Sequence, residues 1–367
     1  MIKLLYITNG ITGVGGLERA LFIKADLLIE EYGYEIHILS LNEQGLSPFY
    51  KFNPKIRFHN IRIRRPVLKY IWDYLSGVRK IVKEVKPDII SVCDDGLKGF
   101  FVPVYTKRPC PMIYERHVSK LISNIDNNWM NKIRTDITYR LMNIGGKLYD
   151  KFVIFTEQNK LEWKQIKTLQ VIPNPLSFYP QKKALLINKK VILVGKLSYQ
   201  KGQDILIDAW RIVAKKHPDW TLEIYGKKDS DNYYQHLIEQ RGLENSIKLF
   251  DPVKNIDAKY LDASIYVMSS RFEGFGNVLV EAMACGLPCV SFDCPFGPGD
   301  IIADGKDGFL VENGNIGKLA EKIIFLIENE DKRMEMGRTA KENVKRFLPE
   351  KILFQWDNLF KQLLNEN

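Results

Sequence analysis

The chain of 367 residues has little with which to cross a bilayer, staple itself by disulfides or hold a structural metal. No apolar run approaches the roughly 18–20 residues of a transmembrane helix. Cysteine is sparse and odd in number: Cys93, Cys110, Cys285, Cys289 and Cys294. The last three lack paired Cys-x-x-Cys spacing with histidine partners, so they read as buried thiols rather than zinc ligands. The start, Met1-Ile-Lys-Leu-Leu-Tyr-Ile-Thr8, shows no cleavable leader pattern and enters a strand at once. No low-complexity tract, short-period repeat or aromatic–basic recognition module is present, which ranks nucleic acid last among anionic partners. A reducing, cytoplasmic location is the expectation.

What is there is ordinary in bulk and uneven in detail. Hydrophobic content of 45% with 27% charged residues suits a soluble globular protein. The length predicts two domains of roughly 150–200 residues. The net charge of +10 is concentrated: residues 1–150 carry 23 Lys+Arg against 15 Asp+Glu, and the remainder 31 against 29. Basic clusters fall at Arg62, Arg64, Arg65 and Lys69; at Arg79, Lys80, Lys83 and Lys86; and at Lys132, Arg134, Arg140 and Lys147. Each cluster alone is what a solvated helix face looks like. Their concentration in one half suits an anionic lipid surface or a pyrophosphate-bearing substrate.

Apolar strands alternate with amphipathic helices along the chain, which predicts α/β domains with doubly wound parallel sheets. In the first half, strands are expected at Lys3–Thr8, Glu35–Leu41, Ile56–Arg62, Asp88–Cys93, Met112–Glu115 and Lys151–Phe155. Helices are expected at Leu17–Tyr32, Tyr70–Val85 and Trp129–Tyr149. Gln170–Pro180, with Pro173, Pro175 and Pro180, reads as a hinge. A second alternating series follows, from Lys190–Val194 to a last helix at Ile352–Leu364. The reading is an N-terminal domain of residues 1–172, a C-terminal domain of 173–349, and a helix of 350–367 returning to the first, with a cleft between carboxyl edges.

The segment Arg271-Phe-Glu-Gly-Phe-Gly-Asn-Val-Leu-Val-Glu-Ala-Met-Ala-Cys-Gly286 is the most informative. It follows the apolar strand Ile265–Met268 and breaks at glycines before an apolar helix. That order aims free helix N–H groups at the end of a sheet, where an anion is favoured. Glu273 in the loop and Glu281 in the helix can hold hydroxyls on either side of a bound phosphate, the layout of a sugar nucleotide.

Glu273-x₇-Glu281, embedded in Glu-Gly-Phe-Gly, Glu-Ala-Met-Ala and Gly-Leu-Pro, resembles the signature of retaining glycosyltransferase family 4. Gly15-Gly16-Leu17-Glu18 resembles that family's first loop, and Ile172-Pro-Asn174 its interdomain segment. Gly195…Lys201-Gly202 resembles its phosphate strand-loop, and Asp304-Gly305-x-x-Gly308 its late turn. The resemblance spans essentially the whole chain. It implies the GT-B fold: two Rossmann-like, doubly wound parallel-sheet domains facing across a cleft.

The same resemblance implies the roles. Glu281 would bind the nucleotide's ribose hydroxyls, as an ionised carboxylate does well. Glu273 would accept from donor-sugar hydroxyls, aided by backbone N–H groups of Phe275, Gly276, Asn277 and Val278. Lys201 would neutralise the departing diphosphate in place of a metal, so that no cofactor is needed. Gly15 and Gly16 would let backbone approach the cleft as part of the nucleotide-sugar site, and His117, at a strand end, would face the donor sugar or shape the acceptor site, with Glu115 and Arg116 able to orient it or to contact the acceptor. One departure stands out: Lys196 sits where the family usually has arginine, keeping charge but losing the planar fork. The first loop is not a dinucleotide fingerprint, because Glu18 stands where a third glycine belongs.

The implied reaction moves a hexose or N-acetylhexosamine from a UDP-sugar to a saccharide with retention. Ser291-Phe-Asp-Cys-Pro-Phe-Gly-Pro-Gly-Asp300 looks like members that build bacterial capsule, exopolysaccharide or lipopolysaccharide. Their acceptors are commonly polyprenyl-diphosphate-linked saccharides, which would draw the basic first domain peripherally to the inner membrane face. The rivals are a transferase with a soluble acceptor, a nucleotide-sugar epimerase, and a non-catalytic binding module.

Overall fold

The computed structural model describes residues 1–64, 66–123 and 129–366. Arg65 of the first basic cluster and the terminal Asn367 lie outside the described residues. The chain forms two compact units, Met1–Ser177 with Pro349–Asn367, and Phe178–Leu348.

The first unit is built on seven parallel strands: β1 (Lys3–Thr8), β2 (Glu35–Leu41), β3 (Arg57–Ile61), β4 (Ile89–Cys93), β5 (Met112–Glu115), β6 (Lys151–Ile154) and β7 (Leu169–Val171). Their order is β3-β2-β1-β4-β5-β6-β7. β1 pairs with β2 on one side (Lys3 opposite Glu35) and β4 on the other (Leu4 opposite Ile89), so the direction of winding reverses between β1 and β4. Central strands buried on both faces explain the unbroken apolar runs of β1 and β4. The helix Gly16–Tyr32 covers this sheet and stops at Gly33, whose left-handed backbone lets Gly33 and Tyr34 N–H groups reach the carbonyls of Ile29 and Leu28.

The helix Pro349–Asn365 belongs to this unit. Its Phe360 ring lies 5.8 Å from that of Tyr34, and the Tyr34 hydroxyl donates to Asp357 at 3.0 Å. The helix opens at Pro349, which suits a first turn whose N–H groups have no intrahelical partner.

The second unit repeats the plan with six parallel strands: β8 (Lys190–Val194), β9 (Thr221–Tyr225), β10 (Ile247–Phe250), β11 (Ile265–Met268), β12 (Cys289–Phe292) and β13 (Gly308–Val311). The order is β10-β9-β8-β11-β12-β13, with the reversal between β8 and β11. Its core joins Trp210 and Leu206 of the helix Gln203–Lys216 to Ile224, Val267 and Leu319.

Several stretches differ from expectation, among them the short helices Ile256–Leu261 and Pro298–Ile301, where no element was expected. Leu169–Val171 is an edge strand paired with β6, although Gln170 and Val171 read as hinge; three residues are too few to show a period of two. Leu97–Phe100 and Val102–Thr106 form short helices where no element was expected. The stretch Lys332–Arg346, whose sequence predicts one continuous helix, divides into a helix Glu330–Asn343 and a tighter turn Val344–Phe347.

Candidate functional site

At the carboxyl ends of β8 and β11, two loops are locked together. A side chain on Gly202 (φ +64°) would meet the Ser269 carbonyl at 2.1 Å, so only glycine allows this approach. Ser269 Oγ donates to the Lys201 carbonyl at 2.9 Å, and the Arg271 N–H to the Gln200 carbonyl at 2.8 Å. The Arg271 guanidinium forks onto Asp204 at 2.9 and 2.5 Å and stacks on Tyr199, 4.0 Å from the ring centre.

This frame sets Lys201 Nζ 2.7 Å from Glu273 Oε1, which also accepts from Ser270 Oγ at 2.5 Å. Glu273 is buried, and its N–H donates to the Pro295 carbonyl at 2.7 Å. Gly276, at φ +106°, turns the chain from Phe275 into the helix Asn277–Ala284. Asn277 and Val278 open that helix at the sheet's carboxyl edge, beside the point where winding reverses. Helix N–H groups and a lysine at that point favour an anionic ligand.

The remaining residues of this unit are placed differently. Glu281 is buried on the inner face of the same helix, with Oε2 3.4 Å from the Tyr260 hydroxyl. A solvated helix glutamate is thereby excluded. Lys196 lies in the loop after β8 with its side chain exposed, outside the Lys201–Glu273 contact. Its carbonyl takes a hydrogen bond from Gln203 Nε2 at 3.0 Å, so its backbone is fixed while its ammonium is not.

In the first unit, Gly15 and Gly16 lie after β1 and open the helix Gly16–Tyr32. Glu18 folds back over this loop, its carboxylate where side chains on Gly13 or Gly15 would point. The loop's earlier N–H groups are already taken: Ile11 and Thr12 donate to Glu43 at 2.9–3.0 Å, and Thr12 Oγ1 adds a 2.6 Å bond.

His117 follows β5, its side chain 7% exposed and its Nε2 without a hydrogen-bond partner, 3.5 Å from Glu115 Oε2. Its N–H donates to Asp95 at 3.2 Å. Arg116, buried, donates to the Asp95 carbonyl at 2.8 Å rather than orienting His117 directly. Glu115 accepts from Lys24 Nζ at 2.6 and 2.5 Å and from Ser91 Oγ at 2.5 Å. Burial pushes the Glu115 carboxyl up, but Lys24 and His117 outweigh it and hold the group well below the usual carboxylate range. Lys24 itself sits 3.9 Å over the Trp356 ring.

Cys93, Glu115 and His117 have donor atoms within 4.8 Å of one another, the spacing of a three-ligand cation site. Lys24 already places an ammonium on both Glu115 oxygens, and burial pushes the Cys93 thiol well up, so the set is better matched to an internal lysine than to a metal.

Sequence reasoning passed over Lys24 and Glu43. Lys24 carried a signal: it lies among Leu21, Ile23, Ala25 and Leu28 on the inward stripe of its helix, where a charge requires a buried partner. Glu43 carried none, since two loops distant in sequence must meet before its role is visible.

Residues 178–343 match the family model described as glycosyl transferases group 1. The match covers this segment, a little under half of the chain. Over nearly the full length, the chain is 29% identical to an uncharacterized glycosyltransferase of Haemophilus influenzae, across 98% of this chain and 100% of that one. It is 27% identical to the amylovoran biosynthesis glycosyltransferase AmsD of Erwinia amylovora, across 98% and 99%. Among solved structures, Anabaena HepE in complex with UDP and glucose superposes with a TM-score of 0.79 at 20% identity, covering 98% of this chain and 100% of that one. The two doubly wound domains and this likeness give the chain the GT-B fold. The matched segment and the relatives support a glycosyl-transfer role, and Lys201, Glu273 and Glu281 all lie inside that segment.

Proposed function

We propose that the chain moves a hexose or N-acetylhexosamine from a UDP-sugar to a polyprenyl-diphosphate-linked saccharide, with retention and without a metal ion, in bacterial surface polysaccharide synthesis. The observation that carries this reading is the Lys201–Glu273 contact beside a helix N-terminus at the carboxyl edge of the second sheet. A cation and a carboxylate paired there are ready to exchange partners. The diphosphate takes Lys201, and Glu273, released from it, accepts from the donor sugar's hydroxyls. Glu281, beside Tyr260, takes the ribose. The complex of HepE with UDP and glucose supports the choice of donor, and AmsD supports the polysaccharide role.

On this reading Glu273 is committed to hydroxyls, which leaves no assigned carboxylate to attack the sugar's far face. Transfer then proceeds on one face, the departing diphosphate oxygen taking the acceptor's proton while Lys201 holds the charge that develops. His117 contributes a nearly buried imidazole to the sugar or acceptor side.

No helix among the described residues is long and apolar enough to cross a membrane. Peripheral docking is supported by the helix Trp129–Gly146, which exposes Ile133, Ile137 and Ile144 on one face with Arg140 and Lys147 beside them. The whole reading is tested by incubating the protein with labelled UDP-sugars, with and without lipid-diphosphate and soluble acceptors. Label moving only to the lipid acceptor supports it. Conversion of donor without any acceptor would instead make the chain an epimerase.

A further inference from the structure

At the end of the first sheet opposite His117, the chain opens a cavity of about 750 Å³. Its walls come from Lys86-Pro87, which leads into β4, and from Lys107 and Pro109, which lead into β5. The helix Val67–Val85 contributes Arg79, Val82 and Lys83, and Tyr105 closes one side. Four cations line the cavity and no carboxylate does.

None of Arg79, Lys83, Lys86 and Lys107 has an ion-pair partner among the described residues; of the acids near this end of the sheet, Glu84 pairs with Lys80 at 3.8 Å, Asp150 pairs with Arg108, and Asp88 accepts from the Lys3 N–H at 2.7 Å. Arg79 is held in place, its Nε donating to the Tyr105 carbonyl at 2.6 Å, which leaves both Nη groups of the fork for another acceptor. Lys86 and Lys107 both cap helix ends in the left-handed conformation, at φ +49° and +61°. Those two helix C-termini bring about half a negative charge each, which offsets roughly one of the four positive charges. The rest is unbalanced, and like charges gathered round a concavity repel unless an anion joins them. Val82, Pro87 and Tyr105 add apolar wall on which an organic substituent can lie.

We propose that this cavity is a second anion site, which binds a phosphate-bearing group, mono- or diphosphate, between Arg79, Lys83, Lys86 and Lys107. It stands apart from the glycosyl-transfer residues and does not depend on how they are read. The same chemistry has two sources, a soluble phosphate and the headgroup of an anionic phospholipid.

The test uses the full chain, the double variant Lys83→Gln/Lys107→Gln, and a control, Lys164→Gln/Lys167→Gln, which removes the same charge from exposed positions elsewhere in the first unit. Thermal unfolding of all three confirms the fold. Equilibrium dialysis with radiolabelled pyrophosphate reads the soluble arm. Co-sedimentation with phosphatidylglycerol vesicles, against phosphatidylcholine vesicles, reads the lipid arm. The expected result is loss of one bound equivalent of pyrophosphate, or a roughly tenfold or greater loss of phosphatidylglycerol binding, in the cavity variant alone. Whichever arm responds identifies the source. Equal losses in the cavity variant and the control would reduce the site to diffuse surface charge and overturn the proposal. So would the absence of any difference in both arms.

Discussion

Lys201 Nζ lies 2.7 Å from Glu273 Oε1, joining the cation proposed for the diphosphate to the carboxylate proposed for the sugar. Each satisfies the other before any donor arrives. Lys201→Ala is therefore expected to weaken UDP binding roughly tenfold or more, by loss of a charge-assisted contact. Glu273→Gln should leave UDP affinity unchanged or tighter, because Lys201 no longer has a competing partner, while turnover falls by about 10²–10³. Calorimetric titration with UDP and steady-state rates separate the two; equal loss of UDP affinity in both variants would contradict the division of labour.

Glu281 is buried with Tyr260 at 3.4 Å, a long contact. Glu281→Ala should cost more UDP affinity than Tyr260→Phe, since the carboxylate is proposed to touch the ribose and the phenol only to orient it. A binding assay with UDP against uracil alone checks this: the loss should appear with the ribose and vanish without it.

Lys24 and Glu115 form a buried pair tying the helix Gly16–Tyr32 to β5, under Trp356 of the last helix. Removing one partner strands a charge, so Lys24→Met or Glu115→Gln alone should destabilise by about 3–5 kcal/mol. The double variant should lose clearly less than the sum of the singles. Denaturant unfolding of the four proteins measures the coupling, and additive losses would argue against a paired role.

Burial pushes the Lys120 ammonium down to about 8 from its ordinary 10.5, against the pull of Glu162 and with the help of Arg116. Between those values the unfolded chain binds more protons than the folded one, so this group makes stability rise as pH rises through that window. The slope of stability between about pH 8 and 10.5 should be less positive in Lys120→Met than in the unaltered protein. An unchanged slope would place Lys120 in a more solvated setting than its bonds to Asn143 and the Glu162 carbonyl indicate.

Much of the fold was legible because parallel strands buried on both faces leave unbroken apolar runs, as in Ile89–Cys93 and Ile265–Met268. Leu169–Val171 escaped because a three-residue edge strand takes its identity from β6 rather than from its own pattern. In the site, the glycines and acids of residues 273–281 were readable, since turn geometry and a helix start are local. The Lys201–Glu273 contact was not, because residues 72 apart in sequence meet only through the Gly202–Ser269 approach. Glu43 on Ile11 and Thr12, and Lys24 on Glu115, are hidden for the same reason: a charge's partner is chosen by topology.

The most direct measurement is the anomeric configuration of the product, read by proton NMR after transfer from an α-linked UDP-hexose to a polyprenyl-diphosphate saccharide in the presence of EDTA. The account predicts an α-linked product formed at an undiminished rate. A β-linked product, or transfer that stops when divalent metal is chelated, would contradict it.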